Sequence, residues 1–396
     1  MTIYLDHAAT TPMRREVLEA MLPLLTEDFG NPSSAHGPGR RARMALDEAH
    51  EMAAAALGAQ PREMVFTAGG TEAANLAIKG AAWAGKGEGH RILTSAVEHD
   101  ATLNALQHLE KFGFEVAVLP VDRYGRLDAD TLDAALDERT ILVALQVANN
   151  EVGTVQPLRD LIATVRRIRG RRTLVYVDAV QGAPYVDLDV HALDADLVAI
   201  GAHKFEGPKG TGALWIRSGT AVMAQTHGGG QERYRRAGTE NVAGAVGMAT
   251  ALRLTAQERP TTVTRLRRER DRLRAALASD AAVEFTGHPT DRLPGHLSLL
   301  VRGVEGAAIV VALDLEGIAA SAGAACTTGS PEVSHVLAAM GYPDEEARGA
   351  LRLSLGRTTT EAEVERAAEV VPAVLARLRS GSSAMAADPL GQEIGV

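Results

Sequence analysis

Thr173-Leu174-Val175-Tyr176-Val177-Asp178-Ala179-Val180-Gln181 and Ala195-Asp196-Leu197-Val198-Ala199-Ile200-Gly201-Ala202-His203-Lys204 decide the fold. Each opens with a short apolar run, of strand rather than helix length, and closes on a polar residue. A strand that is apolar on both faces belongs inside a sheet covered on both sides. Asp178 and Lys204 therefore stand just past the ends of two buried strands.

The same texture extends in both directions. Met64-Val65-Phe66-Thr67 precedes a helical pattern starting near Thr71, and Arg91-Ile92-Leu93-Thr94 precedes Leu103, Leu106 and Leu109 at helical spacing. Val116-Ala117-Val118-Leu119, Ile141-Leu142-Val143-Ala144-Leu145 and Gly212-Ala213-Leu214-Trp215-Ile216 complete the series. Apolar strands alternating with helices predict an α/β fold, with a mostly parallel sheet covered by helices on both faces. Ligands of such sheets bind beyond the carboxyl ends of the strands. After about residue 258 a long charged helix, short strands near 297–301 and 318–320, and further helices predict a smaller α+β domain. The expected division is a large domain over 16–257, a small domain from 1–15 and 258–380, and a mobile tail over 381–396.

Composition narrows the classes of function. A chain of 396 residues is long enough for a large core, and a net charge of -9 argues against a nucleic-acid partner. The arginines between Arg265 and Arg274 interleave with Leu266, Leu273 and Leu277, as on a solvated helix face. The single cysteine, Cys326, excludes an intramolecular disulfide framework and a zinc site of several thiolates, and fits a reducing cytoplasm. No basic segment followed by an apolar core opens the chain, so no signal peptide is expected. No apolar run reaches the roughly 20 residues that cross a bilayer, so no membrane partner is expected either.

The chemistry-bearing residues suggest a cofactor before they suggest a reaction. A lysine amine and a strand-end carboxylate are what pyridoxal phosphate requires: one to bond its aldehyde carbon, the other to keep its pyridine nitrogen protonated. Lys204 is followed by the rigid turn Gly207-Pro208-Lys209-Gly210, and a desolvated lysine becomes a usable amine. Asp178 would serve equally as a strand-end cap or half of a structural ion pair. Gly69-Gly70-Thr71-Glu72 lies between a strand and a helix, where backbone amides and the helix N-terminus can cradle a phosphate, Thr71 adding a hydroxyl while capping the helix. A tight turn without a ligand is the competing reading. His99 follows a strand; it either caps the next helix or stacks on a flat ring and shuttles protons. Asn150 is a hydrogen-bond donor or simply part of an Asn-rich turn.

Cys326 sits in Ser321-Ala322-Gly323-Ala324-Ala325-Cys326-Thr327-Thr328-Gly329-Ser330-Pro331, too small and glycine-bearing for a core pattern. An exposed thiol with a pKa near 8.5 is only a few per cent thiolate at neutral pH, so reactivity would need activation by the site. Arg352, in Leu351-Arg352-Leu353-Ser354-Leu355-Gly356, is suited to a substrate carboxylate, with an ordinary surface ion pair as the default.

These segments, in this order, closely resemble the cysteine desulfurases, a branch of the fold-type I pyridoxal-phosphate enzymes grouped with the class V aminotransferases. The likeness runs from Tyr4-Leu5-Asp6-His7-Ala8-Ala9-Thr10-Thr11-Pro12 and Gly30-Asn31-Pro32-Ser33-Ser34-Ala35-His36 through Gly70-Thr71-Glu72-Ala73-Ala74-Asn75, Glu98-His99 and Asn149-Asn150-Glu151-Val152-Gly153. It continues through Asp178-Ala179-Val180-Gln181, His203-Lys204-Phe205, His227-Gly228-Gly229-Gly230-Gln231-Glu232, Gly238-Thr239, Ala325-Cys326-Thr327 and Arg352-Leu353-Ser354-Leu355-Gly356.

The resemblance implies that Lys204 holds the cofactor covalently and Asp178 pairs with its ring nitrogen. It implies that His99 stacks on the ring while Asn150 and Gln181 contact its phenolic oxygen or neighbourhood. Gly70, Thr71 and His203 would grip the phosphate, with Thr239 supplied by the other subunit of a homodimer. Arg352 and Asn31 would hold the carboxylate of L-cysteine, and Cys326 would take its sulfur as a persulfide for an acceptor such as an iron–sulfur scaffold protein. One position departs from the family: Ser or Thr usually stands three residues before the lysine, and here that residue is Gly201. One phosphate hydrogen bond is thus missing, and weaker cofactor retention is expected. Two other readings compete: a transaminase or β-lyase in which Cys326 is incidental, and a silent platform for sulfur-transfer proteins.

Overall fold

A computed structural model of the chain describes residues 2–323 and 333–386, with side chains described as far as residue 380. In chain order its strands are β1 (Ile3–Tyr4), β2 (Met64–Thr67), β3 (Arg91–Ser95), β4 (Glu115–Leu119), β5 (Thr140–Gln146) and β6 (Leu174–Asp178). They continue with β7 (Leu197–Gly201), β8 (Gly212–Ile216), β9 (Val283–Phe285), β10 (His296–Val301), β11 (Ile318–Ala319) and β12 (Ala350–Ser354). The chain divides into two compact units.

The larger unit comprises Thr10–Asn150 and Thr154–Thr261 and holds a seven-stranded sheet in the order β2-β8-β7-β6-β5-β3-β4. Every residue of β5, β7 and β8 is buried, as apolar strands covered on both faces must be. β7, β6, β5, β3 and β4 pair in parallel, the arrangement expected for strands joined through helices. β8 is the exception, running antiparallel to both β2 and β7. Its apolar run carried no sign of that direction, because strand polarity depends on the connection rather than on the strand's own residues.

Helix Gly70–Gly85 covers the middle of this sheet with a face built largely of alanine: Ala73, Ala74, Ala77, Ala81 and Ala82 are buried, with Ile78 between them. Small side chains let the helix backbone approach closely, and a Cβ at Gly80 would meet the Val222 side chain at 2.5 Å. These residues join Val65, Leu106, Leu142, Ala144, Tyr176, Ala199 and Leu214 in one apolar cluster, whose burial is the main stabilising contribution here.

The smaller unit comprises the N-terminal residues through Ala9, Glu151–Gly153 and the chain from Thr262 onward. It contains the antiparallel sheet β12-β10-β9 and the parallel pair β1-β11. The division falls inside the long helix Val242–Leu277. The last helix, Glu361–Ala386, runs six residues into the stretch read as a mobile tail, and residues 387–396 lie outside the described ones. Among the described residues no helix is long and apolar enough to cross a membrane.

Candidate active site

β6 delivers Asp178. Its strand is buried, its register sets Asp178 opposite Gln146 of β5 and Ala199 of β7, and the carboxylate is 8% exposed. Oδ1 accepts a hydrogen bond from the Val180 backbone N–H at 2.9 Å. Burial pushes the Asp178 carboxyl above the usual range, opposed by that N–H and by the nearby His99 and Lys204.

β7 delivers the amine. It ends at Gly201 and passes into the single 3₁₀ turn Ala202–Lys204. The turn is held from a distant part of the unit: both the backbone N–H and the hydroxyl of Thr11 donate to the His203 carbonyl, at 2.9 Å and 2.7 Å. The Glu206 N–H donates in turn to the Thr11 hydroxyl at 2.8 Å, and Glu206 forms a buried ion pair with Arg14 at 2.6 Å. Glu206 adopts a φ of 62°, which few residues other than glycine take without such support. His203 rests its Nδ1 against the Thr10 hydroxyl at 3.2 Å. Burial first, then Lys204 and Lys209, lowers its pKa to about 4, so it is neutral at physiological pH.

The candidate phosphate cradle lies where the β2 strand turns into helix Gly70–Gly85. Gly69 is the N-cap residue, and no side chain caps the first turn. Thr71 is therefore the second helical residue and not the cap expected of it; the glycines let the helix start earlier. A Cβ on Gly70 would meet Val180 at 2.6 Å, and one on Gly212 would meet the Gly69 backbone at 2.5 Å, so both positions require glycine. Uncapped amides at the start of a helix form an anion site. At Gly201 the situation is different. A Cβ there would lie 3.4 Å from Val180, 3.6 Å from the Gly70 nitrogen and 3.8 Å from the His203 ring, so a serine fits.

His99 caps helix Asp100–Glu110, its Nδ1 accepting from the Ala101 N–H at 3.0 Å. Nδ1 therefore carries no proton, and the other ring nitrogen is the donor. The capping reading holds, and His99 also lies within electrostatic reach of Asp178. Asn149 is buried, donating to the Val97 carbonyl at 2.9 Å; Asn150 is half-buried in the following turn, and Gln181 is buried after β6. Thr239 is exposed on the chain. Asn31 is exposed, and its side-chain oxygen accepts from the Ser33 N–H at 2.9 Å.

Arg352 belongs to the smaller unit, in β12, where Ser298 of β10 stands opposite it. It is not a surface residue: it is 2% exposed, pairs with Asp6 at 2.7 Å and donates to the Gly323 carbonyl at 3.3 Å. Cys326 lies outside the described residues. Two contributors escaped the sequence reading, the Thr10-Thr11 hydroxyl pair and Glu98. Both sit in the quoted family segments, which was the only signal for them.

The donor set fits pyridoxal phosphate on the chain's own terms. A buried acid raised by desolvation, an amine one strand away and an uncapped glycine turn match a pyridinium, an aldehyde and a phosphate. The class-V aminotransferase family profile matches residues 3–367. A cysteine desulfurase IscS of Methanosarcina thermophila is 45% identical over 380 residues, covering 96% of this chain and 93% of that protein. A solved NifS-like protein superposes with a TM-score of 0.90 at 36% identity, covering 96% of this chain and 100% of that one. A solved structure of SspA in complex with cysteine gives a TM-score of 0.79 at 32% identity, covering 89% of this chain and 99% of the other. Among the described residues no group of His, Cys, Asp and Glu is arranged to hold a metal ion.

Proposed function

This chain belongs to the class-V aminotransferase family, and from that premise we propose how its residues divide the work of a cysteine desulfurase. The activity is pyridoxal-phosphate-dependent conversion of L-cysteine to L-alanine. The observation that carries the reading is the pairing of β6 with β7, which sets Asp178 and Lys204 at adjacent strand ends in a unit whose helix Gly70–Gly85 starts uncapped.

Lys204 holds the cofactor, Asp178 pairs with its ring nitrogen, and Gly70, Thr71 and His203 receive its phosphate. Thr239 completes the phosphate site from the partner chain of a homodimer, a role its exposure permits. Gln181 and Asn150 border the ring, and His99 presents its flat face to it. When bound, the cofactor supplies an electron sink that allows negative charge to develop on the substrate beside the carboxylate carbon. Arg352 and Asn31 hold the substrate carboxylate, the guanidinium being a planar fork suited to that group. Lys204, with His99, moves the substrate proton.

Cys326 takes the sulfur. Its thiolate bonds to the substrate sulfur as the carbon–sulfur bond breaks, and the departing carbon, once reprotonated, becomes the methyl group of alanine. The outer sulfur of that persulfide then passes to a nucleophile of an acceptor protein in the cytoplasm, an iron–sulfur scaffold being our assignment, as the S–S bond breaks and Cys326 returns to its thiolate. Replacing Cys326 by Ser is expected to abolish alanine formation while leaving the yellow colour of the loaded protein intact. Mass analysis of the wild type after cysteine is supplied should find one added sulfur on Cys326. Normal turnover by the C326S variant would end the assignment, and a keto-acid product would indicate a transaminase.

A further inference from the structure

One fully buried carboxyl beside the site has no part in the reaction described so far. Glu98 precedes His99 and is 0% exposed. Its Oε1 accepts from the Ser95 hydroxyl at 2.6 Å and from the backbone N–H of Gln146 at 3.1 Å. Gln146 is the β5 residue whose register partner is Asp178. The same turn is tied a second time through Val97, whose carbonyl accepts from the side-chain amides of Gln146 at 2.6 Å and Asn149 at 2.9 Å. The segment that presents His99 is thus fastened to the end of β5, and Glu98 is one of its fastenings.

We propose that Glu98 is a positioning residue for the cofactor pocket: its carboxylic acid group ties the turn bearing His99 to β5 and leaves Asp178 the single negative charge of that buried cluster. The inference rests on the pyridoxal-phosphate reading above. Two carboxyls that share one buried space do not both ionise cheaply, and the proton goes to the one with less help. Asp178 has His99 and Lys204 acting on it. Glu98 has hydrogen bonds from Ser95 and Gln146, and Asp178, of the same sign, acts on it. Burial, with Asp178 adding to it, raises Glu98 to about 8. Tyr176 of β6, a further titratable neighbour, is itself buried and raised well above its ordinary value, so it stays neutral.

A carboxyl raised from its usual 4.5 to about 8 binds its proton in the folded protein over that whole interval. Its contribution to stability is complete below 4.5, falls as pH rises, and is exhausted above about 8. Once charged, Glu98 would also draw Asp178 toward its neutral form and weaken the pairing with a protonated ring nitrogen.

The test uses the full-length protein and the affinity of pyridoxal phosphate, read by absorbance between about pH 6 and pH 9.5. In the wild type the affinity should fall, by about tenfold, as Glu98 ionises. In Glu98→Gln, which keeps the shape and the hydrogen-bond acceptor but has no charge to gain, that decline should disappear. Ser95→Ala, which removes a hydrogen bond that favours the ionised form, should move the inflection to higher pH and serves if Glu98→Gln fails to fold. Thermal midpoints measured without cofactor should show the same pattern. A decline of equal size and position in all three proteins would overturn the proposal. Failure of the wild type to bind pyridoxal phosphate at any pH would instead overturn the functional reading.

Discussion

Asp178 and Arg352 are both ionisable, both buried and both carried by strands, yet their surroundings differ in kind. Asp178, in the larger unit, receives one backbone N–H, and burial outweighs the help of His99 and Lys204. Arg352, in the smaller unit, already faces Asp6 at 2.7 Å and a backbone carbonyl. The first is an acid whose burial outweighs the basic groups beside it, so a bound cation would favour its ionised form. The second is a charge matched by the fold, through Asp6 and the Gly323 carbonyl. A buried ionisable group short of its counter-charge points to a ligand, whereas a matched one points first to structure and only secondarily to binding.

Replacing Asp178 by Asn should break that contrast most severely. Removing one partner of a buried ion pair costs roughly 3–5 kcal/mol, two to nearly four decades in rate if that pairing is made with the reacting cofactor. Alanine production measures it, and a loss under tenfold would mean that Asp178 faces no cation. Arg352→Lys comes next. Lysine keeps the charge but cannot serve Asp6 and a carboxylate with one planar fork, so KM for cysteine should rise by about tenfold to a hundredfold, from a charged hydrogen bond of roughly 1.5–3 kcal/mol. An unchanged KM would leave Arg352 purely structural.

Thr11→Val sharpens the comparison from the side of the larger unit. It deprives the Glu206 N–H of its acceptor and the His203 carbonyl of a donor, at about 1–3 kcal/mol. Chemical denaturation should show that loss, and cofactor retention should weaken with it, since the same turn carries Lys204. The smallest effect is expected from Gly201→Ser. Its Cβ has room, and one added hydroxyl near the Gly70 nitrogen should tighten pyridoxal phosphate by roughly 0.5–1.5 kcal/mol, a few-fold to about tenfold. Weaker binding in that variant would show that the missing hydroxyl is not a defect.

The strands were readable because their signal is local. The apolar run ending at Ile216 is matched by β8 (Gly212–Ile216), and the run before Asp178 by β6 (Leu174–Asp178). The direction of β8 was not readable, since it is set by pairing with β2 and β7 and not by its own side chains. Threonine favours the N-cap, which predicts that role for Thr71, but the cap is Gly69 and Thr71 is the second helical residue. Arg352 carried no mark of burial in an alternating run, and its match with Asp6 spans most of the chain.

By itself, then, the sequence determined which residues end the strands and which chemical groups stand there, because hydrophobic periodicity and residue type are properties of neighbours along the chain. Only the tertiary structure decided their ionic state and aim. Thr11 fixes the turn before Lys204, Glu98 binds to Gln146 beside Asp178, and Asp6 neutralises Arg352. Those effects arise from burial and from partners distant in sequence. Desolvation and Coulomb attraction depend on distance in space, and no local pattern records that distance.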